Sequence, residues 1–407
     1  MYPNLYFLFQ DVFGLELPFL KLVNTFGLMV ALAFVVASFT VSLELKRKGA
    51  SGLLASTYKE VVVGEKAKAV ELLGSGFFGF LLGYKVLWLL LNAGTLFTGP
   101  EPPQAHLFST DGYWFWGILL AAGLAYMRYR EAEAQRLEKP RKQKIEILPY
   151  QRTGTLIMVA AIGGVAGAKL FHLLEYPDEL VRFFTQPSLQ SFLGGLTIYG
   201  GLIVGGIAVA LYGRRHGLAF HPLSDAAAPG LMLGYGVGRI GCQVSGDGDW
   251  GIPNPHVKPD WLSWLPDWMW SYPFPNNVNG IYGPQPAGYT GKLIEAGDPW
   301  PIFQGYGTYL DPGVYPTAFY ETLAAVAIFA LLWRLRKRIA IPGQLFAVYL
   351  FLNGFERFWV EKIRVNVEMD FLGLQLTQAE LISSLMMLAG ASLYWIHQKG
   401  LFRKLNP

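Results

Sequence analysis

The residues best equipped for chemistry are charged groups set in apolar sequence. Arg239 closes the small-residue run AAAPGLMLGYGVGRIG, and Arg357 lies within NGFERFWVEKIR. Glu321, Glu356 and Glu361 are acidic groups in similar surroundings. A guanidinium in hydrocarbon costs roughly 3 kcal/mol on insertion scales and above 10 on an isolated helix, so an Arg kept there marks a functional position. Its natural partner is an anion. Arginine forks grip an oxyanion bidentately, as Lys does not. Glu361 follows Arg357 by four residues, one helical turn, and can orient it. Tyr199 sits in the glycine frame GGLTIYGGLIVGG, directly before Gly200 and Gly201. That frame reads as a broken helix lining a headgroup cavity, whereas Gly205 and Gly206 read as close helix packing. Gly238 adjoins Arg239, and Cys242 lies three residues beyond. Cys242 reads as a small buried residue rather than a nucleophile. The six His show no metal spacing and there is one Cys, so neither a metal site nor a cofactor is expected.

These groups need a scaffold, and composition defines it. The chain of 407 residues is 52% hydrophobic and 15% charged, well below the roughly 25% charge of soluble domains. Its 12 Trp and 21 Tyr suit the aromatic belts of a membrane protein. Nine apolar segments approach or exceed the length of a span. They lie near 22–43, 74–97, 113–130, 154–175, 192–213, 226–246, 316–334, 343–362 and 377–397. Basic residues alternate with them: Lys46, Arg47 and Lys48, the RYREAEAQRLEKPRKQK run, Arg214 and Arg215, Arg334 to Arg338, and Lys399, Arg403 and Lys404. These loops hold about 23 of the 33 Lys and Arg and the opposite set about five, as expected for N-terminus out and C-terminus in. The net charge of +4 therefore reflects topology, and no nucleic-acid partner is expected. No cleavable signal peptide is evident in MYPNLYFLFQ.

The expected fold is all-α, a polytopic membrane helical bundle of about nine transmembrane helices with a small extracytoplasmic head domain. Residues 1–246 carry helices one to six, 247–315 the head, and 316–407 helices seven to nine. The head segment is rich in Pro, Gly, Trp and Tyr and is too long for a bare connection. Its Trp261 to Trp270 stretch suits a membrane interface. Arg128 to Lys144 reads as a solvated extension of the third helix ending at Pro140. Lys85 and Lys362 read as snorkelling to an interface.

Six ordered pieces resemble the prolipoprotein diacylglyceryl transferase family: TFGLMVALAFVVA, GGVAGAKLFHLLEY, GGLTIYGGLIVGG, GRIGCQVSGDGDWG, YPTAFYETL and NGFERFWVEKIR. The resemblance implies transfer of a diacylglyceryl group from phosphatidylglycerol to the lipobox cysteine of a prolipoprotein signal peptide, in a bacterial cytoplasmic (inner) membrane. It implies two extra helices at about 74–130. Arg239 and Arg357 match the family's essential arginines and Arg364 the arginine closing the same motif; Glu361 stands at that motif's acid. Glu321 stands at the acid of the H-P-x-Q-L-Y-E motif. Lys169 stands where the family has Arg, Tyr199 where it has His, Phe26 where it has Tyr, Cys242 where it has Asn, and Asn353 where it has Tyr. One residue is inserted in SGDGDWG, so either Asp247 or Asp249 stands for the family's Glu. The phosphate-binding half of the site is thus retained and the proton-handling half changed. Those departures leave two alternatives open: a phospholipid-dependent transferase with another acceptor, or a non-catalytic lipid-binding paralogue.

Overall fold

The computed structural model describes residues 1–400 apart from 97–102, 187–190, 192–193, 281–289, 367 and 372. The first two residues of the apolar segment 192–213 and the C-terminal Arg403 and Lys404 fall outside the described residues.

The chain is mostly helical. Helix α1 spans Leu5–Phe13, α2 Thr25–Ala50, α3 Ala69–Leu91, α4 Trp114–Ala134, α5 Thr153–Glu175 and α6 Pro177–Thr185. Then come α7 (Ile198–Arg215), α8 (Phe220–Ser245), α9 (Thr317–Leu335), α10 (Gln344–Glu361) and α11 (Gln378–Gln398). A helix therefore occupies each of the nine apolar segments. Among the described residues, five regions are long and apolar enough to cross a membrane: α2, α3, the stretch Pro149–Glu175 containing α5, α9 and α11. The protein is a membrane helical protein.

Helix α8 packs against α2, α9 and α10, while α5 packs on α7 and α10 on α11. Lipid offers no hydrophobic drive for helix association, so small residues that let backbones approach take over. Gly230 and Gly234 meet Ala37 and Ala33 of α2, and Gly236 meets Ala325 of α9. At the N-terminal end of α8, Asp225 accepts the backbone N–H groups of Gly343 at 2.8 Å and Phe346 at 2.9 Å, and pairs with Lys48 at 3.4 Å. A carboxylate there satisfies the orphan donors at the start of α10. Fully buried Glu44 binds Arg47 and Arg336 beside it. One end of the bundle is thus fastened by ion pairs.

Three two-stranded antiparallel ribbons among the described residues amend the all-α expectation. Strand β1 (Thr57–Val63) pairs with β2 (Arg141–Ile147), from Thr57 opposite Ile147 to Val63 opposite Arg141. The expected helical extension to Pro140 instead stops at Ala134, and Arg141 begins a strand. Its partner lies some eighty residues earlier, and strand formation depends on that cross-strand neighbour. The ribbon carries α3 and α4 as a helical hairpin. Lys85 does not snorkel: it is buried and donates to Ser109 O at 2.7 Å, Ser109 Oγ at 2.8 Å and Asp111 O at 2.8 Å. Lys362 pairs with Glu380 of α11.

Between α8 and α9, Trp250, Phe274, Leu310 and Val314 form a separate small core. Ribbon β3–β4 (Thr290–Leu293, Thr308–Asp311) lies in the same segment. Phe7 of α1 stacks on Phe303 with ring centroids 4.4 Å apart, which fastens the N-terminal helix to it. Ribbon β5–β6 (Glu368–Phe371, Leu374–Thr377) links α10 to α11.

Candidate active site

The C-terminal parts of α8 and α10 and the N-terminal part of α9 meet at the end opposite Asp225. Glu321 is their centre, with no exposed surface. Arg239 pairs with its Oε2; Arg357 donates to its Oε1 at 3.1 Å and Arg364 at 3.0 Å. Arg357 also pairs with Glu361 at 2.8 Å, the contact expected from their four-residue spacing. Glu361 is held in turn by Asn366 at 2.5 Å and Thr377 Oγ1 at 2.8 Å. Asp249 receives Arg239 on one oxygen and Arg364 at 2.5 Å on the other. Three guanidinium groups thus face three carboxylates. Pairing of this kind offsets the cost of taking these charges out of water.

The loop that brings Asp249 here follows from its glycines. Gly246 and Gly248 have φ of 65° and 102°, a region open to Gly without strain. Ile252 N–H then donates to Ile363 O at 2.9 Å, tying this loop to the segment carrying Arg364. A Cβ on Gly251 would lie 2.6 Å from Ile363 O, so only Gly fits. Thr317 at the start of α9 donates to Asp249 O at 3.2 Å.

Two carboxyls two residues apart have opposite electrostatics. Burial would raise the Asp249 carboxyl, but Arg239 and Arg364 outweigh it and hold it down at about 2. Asp247 is raised, first by burial and then by the charge of Asp249. Asp249, not Asp247, therefore stands with the arginines. Cys242, Asp247 and Asp249 do gather potential ligand atoms within 4.8 Å. Asp249 is already committed to two guanidinium groups, whose charge opposes a divalent cation.

Side-chain exposure is 22% for Arg357, 13% for Arg239 and 7% for Arg364, which makes Arg357 the most open of the three to an arriving anion. The Tyr199 side chain lies within electrostatic reach of Arg357, Glu361 and Arg364. A Cβ on Gly238 would meet nothing within 4 Å. Buried Cys242 has Sγ 3.7 Å from both Arg239 Nη1 and Asp249 Oδ2.

Other expected site residues lie elsewhere. Gly200 and Gly201 belong to the α5–α7 interface rather than to a broken helix: a Cβ on Gly200 would stand 2.4 Å from Gly167 O, and one on Gly201 3.1 Å from Gly164 O. Both sit within continuous helix α7. Gly205 packs as expected, whereas Gly206 faces open space. Lys169 donates to Gly194 O at 2.7 Å. Phe26 touches Gly241 of α8, and Asn353 donates to Met232 Sδ at 3.6 Å.

Sequence reading missed Tyr235, whose ring centroid lies 5.3 Å from the Arg239 guanidinium. Its position four residues before Arg239 was the available signal. Asn366 and Thr377, which hold Glu361, carried no such signal.

Fold and site together describe a membrane helical protein with a buried arginine–carboxylate centre. Residues 105–396 match the family described as prolipoprotein diacylglyceryl transferase. The chain belongs to that family. A phosphatidylglycerol–prolipoprotein diacylglyceryl transferase of Corynebacterium glutamicum is 27% identical over 311 residues, covering 75% of this chain and 83% of the relative. Proteins with the same name from Chromobacterium violaceum (27% over 269 residues, 65% and 83%) and Pseudomonas aeruginosa (26% over 255 residues, 61% and 78%) are also similar.

Proposed function

We propose that this protein transfers the diacylglyceryl group of phosphatidylglycerol to the lipobox cysteine thiol of a prolipoprotein signal peptide, releasing glycerol phosphate. The observation that carries this reading is the meeting of Arg239, Arg357 and Arg364 on Glu321. Because the centre is internally paired, the phosphodiester binds by exchange, its oxygens replacing carboxylate oxygens on guanidinium N–H groups. The exposure of Arg357 makes it the first to exchange. The acceptor thiolate attacks the glycerol carbon bonded to phosphate. That C–O bond breaks and its electron pair stays on the phosphate. The arginines stabilise the charge building there, and the Tyr199 hydroxyl serves as a further donor.

On this reading all nine long helices cross a bacterial cytoplasmic membrane, N-terminus out and C-terminus in. Residues 247–315 then form the outer head, with exposed Trp261 and Trp264 at the interface. The test supplies purified protein with phosphatidylglycerol vesicles and a lipobox peptide. Release of glycerol phosphate with a matching mass gain on the peptide is expected, and its loss in Arg239→Ala and Arg357→Ala. Binding of both substrates without release overturns the reading. The departures at Tyr199, Phe26 and Cys242 favour one alternative, transfer to a different acceptor, which would consume the lipid and leave the peptide unmodified.

A further inference from the structure

Glu356 is a buried acid that the scheme above does not use. It precedes Arg357 on α10 and is 6% exposed. Neither of its carboxyl oxygens has a hydrogen-bond partner among the described residues. Glu321, Glu361 and Asp249 are each committed to two or three arginines. Glu356 has no such ion pair, although it lies within electrostatic reach of Glu321, Arg357, Arg239 and Arg364. The Tyr235 hydroxyl, equally buried and unpartnered, feels its charge from α8.

An unpaired buried carboxyl costs stability, because it gave up water and gained no hydrogen bond. Buried polar groups left open in this way call for an explanation, and proton transfer supplies one for a carboxyl within electrostatic reach of three arginines. The reaction must remove a proton from the acceptor thiol, since the thiolate is the nucleophile. A Tyr at position 199, with an ordinary value of about 10, is a poor base at neutral pH. The paired carboxylates have their lone pairs engaged by guanidinium groups.

We propose that Glu356 takes up the proton released by the acceptor thiol. This rests on the transferase reading above. Displacement of Arg357 toward the phosphate uncovers the neighbouring Glu356. The S–H bond then breaks and the proton goes to a Glu356 oxygen. An S–C bond forms at the glycerol carbon as its C–O bond to phosphate breaks, leaving the electron pair on the phosphate. Glu356 returns the proton to the departing glycerol phosphate and is reset.

The test measures single-turnover transfer from phosphatidylglycerol vesicles to a lipobox peptide across pH 5–9, for wild type and Glu356→Gln. The charged and titratable groups around Glu356 are Tyr235 and Arg239 on α8, Glu321 on α9, Arg357 on α10 and Arg364 beyond it. All remain in the variant. A base is lost as pH falls, so the wild-type rate should drop on the acid side, and Glu356→Gln should remove that limb. The variant should lose about 10²-fold in rate, keep phosphatidylglycerol affinity within about threefold, and unfold at a higher temperature than wild type. A structural role would move stability without that rate loss. A Glu356→Gln rate within about threefold of an active wild type overturns the proposal, as does a rate loss explained by lost lipid binding. A wild type that releases no glycerol phosphate overturns the transferase reading instead.

Discussion

Replacing Glu321 by Gln removes one negative charge from a centre that holds three guanidinium groups. Asp249 and Glu361 are then the two ion-paired carboxylates left for three guanidinium groups, at a place where Glu321 had no exposed surface. Breaking a buried pair by removing one partner costs about 3–5 kcal/mol. At 1.4 kcal/mol per decade, the equilibrium for opening this end of the bundle should rise on the order of 10²–10³-fold. The chain carries its own reporter. Cys242 is the single cysteine, buried and 3.7 Å from Arg239 Nη1. Maleimide labelling of Cys242 in neutral detergent should accelerate by about that factor when labelling follows the opening equilibrium. The tryptophan-fluorescence midpoint should fall with it. Two controls test the electrostatic cause. Adding Arg239→Gln restores charge balance, so the double variant should be less destabilised than the sum of its parts, by about 0.5–3 kcal/mol. Phosphatidylglycerol micelles should rescue Glu321→Gln more than wild type, because an anion that binds the folded state stabilises it. Unchanged labelling and an unchanged midpoint in Glu321→Gln would refute the claim that this ion cluster holds the helix ends together.

Asp247 is raised above its ordinary 3.8, so just above that value the folded chain binds more protons than the unfolded chain. Stability then falls as pH rises through that window; Asp247→Asn should flatten the slope and raise the thermal midpoint at pH 7. Asp249 behaves oppositely: its contribution is present above pH 3.8 and lost as pH falls through about 2, so Asp249→Asn should remove acid sensitivity in that lower range. In helix α7, Gly200→Ala places a Cβ 2.4 Å from Gly167 O and should cost about 1–3 kcal/mol by overpacking. Gly206→Ala meets nothing within 4 Å and should be neutral or stabilising, read as the thermal midpoint in detergent.

Much of this protein is local, and local properties are what a sequence displays. A helix in lipid satisfies its own backbone, so length and apolar character place it without knowledge of its neighbours. The nine apolar segments accordingly coincide with helices. Arg239, Arg357 and Glu321 stood out because charge is costly in such surroundings, and the Arg357–Glu361 contact followed from one helical turn. What remained depends on partners far away in the chain. Strand β2 exists because β1 lies opposite. Gly200 packs because Gly167 faces it, although its spacing looked no different from that of a cavity glycine. Asp249 rather than Asp247 meets the arginines because a turn at Gly246 and Gly248, pinned by Ile363, aims it there. On α10, Glu361 is paired and Glu356 is left open, and five residues of sequence cannot distinguish them. Composition sets which groups are expensive to bury; only the convergence of three helix ends decides which of them are neutralised, and by whom.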